Sequence, residues 1–261
     1  MTGAMVRAAA AAFALVLVPA SAGAGTARAP VALTAAPAHV TLAGSSHTTV
    51  RVTNSGTKRV VVDVSRAGFA LDLRGRPRIV RSRGARSAAR WLTLRPSEVK
   101  LGPRSSSSLV VGARVPGRAE PGDHDALVLL RTRPLSNARV AVRLRMGLVV
   151  VVRAPGRIVR RLELRGLRVA RKGRGRALEL VVANRGNVTE SLARARAVLS
   201  RARSGTPVVT LTARSRDLRP QTRGILEFRF RSPPRGSMTA RVVIPAEPGR
   251  SGLQRTYRIR L

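Results

Sequence analysis

Ser97-Glu98-Val99-Lys100 has the spacing of an acylating nucleophile. In S-x-x-K the serine opens a helix, so that the lysine one turn later can take its proton, and K-T-G follows downstream. Here the tetrapeptide runs into strand-like sequence and K-T-G is absent, so acyl-enzyme chemistry is not expected. No G-x-S-x-G elbow occurs, and Ser105 to Ser108 reads as a loop. Glu120, Asp123 and Asp125 surround His124 and could receive a cation, but their spacing matches no calcium loop. A polar turn entering a strand is expected there instead. His39, His47 and His124 lack ligand spacing and have no cysteine partners, so no zinc site is expected. Asn187-Val188-Thr189 is a glycosylation sequon, meaningful only in a eukaryotic secretory pathway. The other acids are too scattered for a general acid/base pair. No catalytic, cofactor or metal residue is assigned, and the chain reads as non-enzymatic.

Binding is the remaining class, and charge is its strongest signal. There are 50 basic residues against 12 acidic ones, a formal charge of +38. All basic residues but Lys58, Lys100 and Lys172 are arginine. Such a charge repels itself and attracts anionic polymers or membranes. Single-strand nucleic-acid binders add aromatic platforms to a basic groove, and this chain has one Trp, one Tyr and four Phe. Specific nucleic-acid recognition is therefore not expected. The candidate contacts for an anionic polymer are outward arginines: Arg139, Arg143, Arg145, Arg229, Arg231, Arg258 and Arg260. Trp91 joins them as a candidate. In Trp91-Leu92-Thr93-Leu94, alternation puts Trp91 and Thr93 on one face and the two leucines on the other. A large aromatic there either fills core volume or forms a platform for a glycan or peptide.

These residues must be positioned by strands. Apolar and polar residues alternate at period two between Gly, Pro, Asn and Ser clusters, the pattern of half-buried strands. Val140, Val142, Leu144 and Met146 oppose Arg139, Arg143 and Arg145; Leu226, Phe228 and Phe230 oppose Glu227, Arg229 and Arg231; Tyr257, Ile259 and Leu261 oppose Arg258 and Arg260. Ala193 to Leu199 is read as a further strand. The plan occurs twice. A strand ends in Asn54-Ser55-Gly56 and another in Asn184-Arg185-Gly186-Asn187, and Leu101-Gly102-Pro103 has a counterpart in Leu218-Arg219-Pro220. Asn and Gly tolerate the backbone of tight turns, so the spacing has a mechanical reason. With no cysteine, each half must fold on its own apolar core.

The first 29 residues are set apart. Arg7 precedes the apolar run Ala8 to Val18, Pro19 breaks it, and small residues follow, the order of a secretory signal peptide. Removing residues 1–29 takes two arginines from the +38 and leaves +36. The expected division is a signal peptide at 1–29, a first sandwich at 30–154 and a second at 155–261. The fold class is all-β, two tandem immunoglobulin-like β-sandwiches after a cleaved signal peptide.

At these motifs the chain resembles the WxL-interacting surface proteins of Gram-positive bacteria. Their extracellular part is two immunoglobulin-like domains related to pilus-chaperone sandwiches. The residues that carry the resemblance are Asn54, Trp91-Leu92-Thr93-Leu94, Leu101-Gly102-Pro103, Val115-Pro116 and Pro121-Gly122-Asp123, then Asn184-Arg185-Gly186-Asn187 in the second half. The family places Tyr after the Pro-Gly turn, where this chain has His124, with Met238 at the corresponding place in the second half. The family's C-terminal membrane helix has no counterpart before Leu261, so membrane anchoring is not expected to carry over. The resemblance implies a secreted, cell-envelope associated protein. It implies recognition of cell-wall polymer, with peptidoglycan bound by the first domain and another surface protein by the second, while the charge adds an anionic wall polymer or an acidic membrane surface as expected partners. The alternative is a pilus-chaperone-like assembly factor acting by strand addition.

Overall fold

Alternation of the kind seen in His47–Asn54, Ser105–Ala113 and Ser237–Ile244 lets one face of a strand leave water while the other stays hydrated, and strands account for the regular structure among the described residues. The computed structural model describes residues 29–80, 86–133, 143–173, 175–214, 216–230, 232, 234–245 and 252–261. The expected signal peptide lies outside them, as does the alternating segment from Arg139 to Val142.

The first half supplies β1 (Leu33–Ala36), β2 (His39–Ala43), β3 (His47–Asn54), β4 (Val60–Leu71), β5 (Pro77–Val80), β6 (Leu92–Arg95), β7 (Glu98–Leu101), β8 (Ser105–Ala113), β9 (Gly122–Thr132) and β10 (Arg145–Ala154). One sheet runs β1-β3-β8-β6 and the facing one β2-β10-β9-β4-β5, with β7 on β4. β2 lies parallel to β10; the other pairs are antiparallel. Between the sheets sit Val50, Val52, Val62, Leu92, Leu109, Val128, Leu130, Leu148 and Val150.

The second half supplies β11 (Leu162–Lys172), β12 (Gly175–Asn184), β13 (Glu190–Ser191), β14 (Arg196–Arg201), β15 (Pro207–Thr212), β16 (Asp217–Leu218), β17 (Arg223–Arg229), β18 (Ser237–Ile244) and β19 (Leu253–Arg260). A sheet β11-β12-β17 faces a sheet β15-β14-β18-β19, and β13 pairs β16. Leu178, Leu180, Leu199, Leu226, Phe228 and Val242 fill the space between. The chain is all-β, two immunoglobulin-like sandwiches.

The expected strand at Ala193 to Leu199 starts later, at Arg196. Leu192 and Ala195 are buried from a turn, closed by Ala195 N–H donating to the Leu192 carbonyl at 3.2 Å. Core volume is filled there by loop residues, which interrupts the alternation.

The two Asn/Gly turns are built alike. The Asn54 amide donates to the carbonyls of Lys58 (2.8 Å) and Gly102 (2.9 Å), and its oxygen accepts from Gly56 N–H (3.0 Å). The Asn184 amide donates to Val188 (2.8 Å) and Leu218 (2.9 Å), and accepts from Gly186 N–H (2.8 Å). Both asparagines are buried. Each serves backbone groups that no ladder satisfies, and leaving them unpaired would be costly. The glycines admit the first segment of their own sandwich. A Cβ on Gly56 would lie 2.5 Å from the Pro30 carbonyl oxygen, and one on Gly186 2.3 Å from that of Val159.

Asn54→Ala leaves the Lys58 carbonyl and the Gly56 N–H without that side chain, while the Gly102 carbonyl keeps the Ser105 hydroxyl at 3.0 Å; Asn184→Ala removes the amide from the Val188 and Leu218 carbonyls and the Gly186 N–H. Each is expected to lower unfolding stability by about 3 kcal/mol, from unmet buried hydrogen bonds, in urea denaturation of the purified chain. Replacement of an exposed asparagine is the control, with a change of under about 0.5 kcal/mol.

Candidate functional site

The sandwiches meet where β9 begins. Asp123 N–H donates to the Asn187 carbonyl (2.7 Å), and the Asp123 carboxylate accepts from Thr189 N–H (2.7 Å) across the junction. The same carboxylate takes Arg153 through Nε at 2.7 Å and Nη2 at 3.1 Å. Two parallel bonds to a planar guanidinium fix direction as well as distance. The Asn187 amide donates to Pro121 (3.1 Å) and Arg157 (2.8 Å). Both of its hydrogens are used, so the sequon asparagine serves the junction and has no free N–H for a glycan.

Two residues on, Asp125 meets Arg219 of the second sandwich, Oδ2 to Nε at 2.5 Å. The Arg219 guanidinium also covers the Phe69 ring at 4.3 Å, a cation–π contact. Burial pushes the Asp125 carboxyl up, and Arg219 opposes it. Asp123, His124 and Asp125 are all buried, so the polar turn expected here is instead an ion-paired strand start. Sequence reasoning missed it because its partners, Arg153, Thr189 and Arg219, lie far off in the chain.

A second contact comes from the tip of the β4–β5 hairpin. The Leu73 carbonyl accepts from Ile225 N–H at 2.7 Å and from Arg216 Nη1 at 2.6 Å. Arg74 reaches Glu179 at 2.8 Å, which also pairs with Lys172 (2.8 Å) and Arg168 (2.6 Å). The Glu179 side chain is fully buried. Burial opposes its ionisation, but hydrogen bonds from Lys172, Arg74 and Arg168 outweigh it and hold the carboxyl at about 2. Arg216 is different. No carboxylate pairs with it among the described residues, burial lowers its pKa, and it is held by the carbonyls of Leu73 and Ile225. Between the two contacts opens a cleft of about 690 Å3, with Phe69, Leu71, Val149 and Val151 on the first-sandwich side and Arg214, Arg216 and Ile225 opposite.

The sequence-selected residues are dispersed. Trp91 precedes β6, its N–H bonded to the Ala88 carbonyl at 2.8 Å. Its half-buried ring packs on the first core and lies 4.3 Å from the His124 ring. Alternation therefore begins at Leu92, and Trp91 does not share an outward face with Thr93. Arg143 is exposed just before β10, and Arg145 lies opposite Arg131 on β9. Arg229 is on β17, paired with Glu227, while Arg258 and Arg260 are on β19. Of the candidate arginines among the described residues, only Arg258 and Arg260 share a sheet face. Arg139 and Arg231 lie outside the described residues.

β10 also carries an incomplete edge. β2 pairs with Val149–Arg153 only, whereas β9 pairs with the whole of Arg145–Ala154. Residues 145–148 therefore have a neighbour on one side alone among the described residues. Val149 N–H donates toward β2, to the Ala38 carbonyl at 3.1 Å. Backbone groups alternate sides along a strand, so those of Arg145 and Gly147 point to the same, open side.

No family model matches the chain, and no curated protein matches it. Among solved structures its fold is similar to the Class 5 fimbriae chaperone CfaA, at 12% identity, 86% of this chain and 98% of that one covered, and a TM-score of 0.50. It is equally similar to a chain of the chaperone–tip adhesin complex of CFA/I fimbriae biogenesis, at 11% identity, 86% and 98% coverage, and a TM-score of 0.50. The architecture is thus that of the two-domain pilus chaperones. The expected relation to pilus-chaperone sandwiches holds at the level of fold, and the narrower WxL-type assignment finds no support.

Glu179 titrates with a folded pKa below its unfolded value of roughly 4.3. Its contribution to stability is complete above that value and is lost as pH falls toward about 2. Glu179→Gln is expected to cost about 3 kcal/mol at pH 7, because buried ion pairs broken on one side leave unmet charge. Chemical denaturation should show the gap between wild type and variant narrowing from pH 5 to pH 2.

Proposed function

We propose that the protein is a non-enzymatic assembly factor of the cell envelope that holds a partner polypeptide by strand addition at β10. The observation that carries this is the open side of Arg145–Leu148. Exposed edges are commonly blunted by proline or by shortness, as β5 and β15 are by Pro77 and Pro207 and β1 by its four residues. The uncovered part of β10 has no proline and continues a strand already built into the sheet. A partner strand there would gain main-chain hydrogen bonds from Arg145 and Gly147, which supply affinity whatever the partner's side chains.

The fold shared with fimbrial chaperones supports this reading over recognition of wall polymer by the first sandwich, for which no built site stands out. The order of residues 1–29 supports action outside the cytoplasm. The sandwich limits of 30–154 and 155–261 fit the strand-free stretch 155–161 between β10 and β11, and we retain them as part of the proposal.

A photo-crosslinker at Gly147 is expected to capture an extended segment of an envelope protein, and the complex to protect the Arg145 and Gly147 amides from hydrogen exchange. Gly147→Pro removes an N–H from the open side and none from the β9 ladder. It is expected to leave the melting temperature nearly unchanged and abolish capture. Capture undiminished by Gly147→Pro, or protection elsewhere with none at 145 and 147, would overturn the reading.

A further inference from the structure

In the second sandwich the acids are divided unequally between the two sheets. Glu163, Glu179 and Glu227 are on the β11-β12-β17 sheet, and Glu190 and Asp217 on the β13–β16 pair. The strands of the β15-β14-β18-β19 sheet contain no acid and six arginines: Arg196, Arg201, Arg241, Arg255, Arg258 and Arg260. Composition alone does not produce this, since the facing sheet has the same origin and three carboxylates.

Register arranges four of these arginines in a line. Ala197 and Leu199 of β14, and Met238, Ala240, Val242 and Ile244 of β18, point into the core. Arg196 and Arg241 therefore face out, and Arg258 and Arg260 face out opposite Thr239 and Ser237. Arg196 stands opposite Val243, two residues from Arg241; Arg241 stands opposite Thr256, two residues from Arg258; and Arg260 is the next outward position. The four descend one outward position at a time across β14, β18 and β19. Diagonal neighbours on a sheet lie roughly 7–8 Å apart. All four are exposed, and none pairs with a carboxylate among the described residues.

We propose that this outer face binds a linear polyol-phosphate chain, its phosphates following the Arg196–Arg241–Arg258–Arg260 diagonal. Thr210, Thr212, Thr239, Thr256 and Ser237 flank the row on the same face and supply hydroxyls suited to phosphate and polyol oxygens. A single line of charge fits a chain rather than the plane of a membrane. Tyr257, the aromatic of this sheet, packs toward the core, so the face offers no stacking platform for the bases of a nucleic acid. The proposal is independent of strand addition at β10, which lies in the other sandwich.

The test uses the full mature chain and a defined poly(glycerol phosphate). Replacing Arg196, Arg241, Arg258 and Arg260 together by Gln is expected to lower affinity about tenfold or more. It should also reduce the slope of log K against log salt by roughly 3, at about 0.7 per lost phosphate contact. The same four changed to Lys keep the charge and should retain most of the affinity. An equal-charge control, Arg51, Arg95, Arg114 and Arg118 changed to Gln in the first sandwich, should change the affinity less than twofold, in the range of surface substitutions away from a site. The proposal falls if the control set weakens binding as much as the test set. It also falls if single-stranded DNA, or vesicles of phosphatidylglycerol and phosphatidylcholine, bind more tightly and depend on the same four arginines.

Discussion

Among the described residues four buried carboxylates, Asp123, Asp125, Glu179 and Glu190, stand in a chain with 50 basic residues, and where they stand decides how the two sandwiches are held. Asp123 and Asp125 bind the start of β9 to the second sandwich, Glu179 receives Arg74 from the β4–β5 hairpin, and Glu190 pairs with Arg160 in the connecting segment at 3.1 Å. A charge of this size pushes the halves of the chain apart. Carboxylates set among these cations turn that repulsion into local attraction, Glu179 taking Arg74 from the first half and Arg168 and Lys172 from the second, in surroundings where screening by salt is weak. The junction thus takes the buried acids, and the outer face of the β15-β14-β18-β19 sheet keeps unbalanced cations.

That division explains what the amino-acid sequence discloses and what it does not. The turns at Asn54 and Asn184 are legible because the demand is local: a strand ends, backbone groups are orphaned, and an asparagine followed two residues later by glycine meets them. Strand class is legible for a similar reason, since alternation at period two is written in neighbouring residues. The junction is not legible. Asp125 and Arg219 are separated by much of the chain, and nothing near Asp125 distinguishes a buried strand start from a solvated turn. Trp91 shows the same limit over a shorter range. Its alternation with Leu92 is real in the sequence, but β6 begins one residue later and the ring turns toward His124.

The arginines follow the same rule. Alternation identifies Arg258 and Arg260 as outward on one strand, while their continuation through Arg241 to Arg196 depends on the register of β18 with β14 and β19. Register is set by packing across the sheet, so a row that crosses strands leaves no contiguous trace. Conversely, Arg145 and Arg229 share the alternation signal and lie on other sheets, one of them beside a carboxylate. Sequence alone gives the sign of the surface but not the pattern in which it is displayed.

An open strand edge and a very basic chain are related by more than coincidence. An edge that can accept a partner strand can equally accept the edge of a second copy, which is the usual route to aggregation. Here Arg145 lies on the open segment of β10 with Arg131 across the β9 ladder and Arg143 just before it. Two copies approaching edge to edge would bring these clusters together, each on a chain of formal charge +38. Long-range repulsion therefore slows self-encounter, while leaving main-chain hydrogen bonding intact for a partner that carries less positive charge or a negative one. On the proposed strand addition, charge on the rim would select who arrives, and the backbone of Arg145 and Gly147 would hold what has arrived.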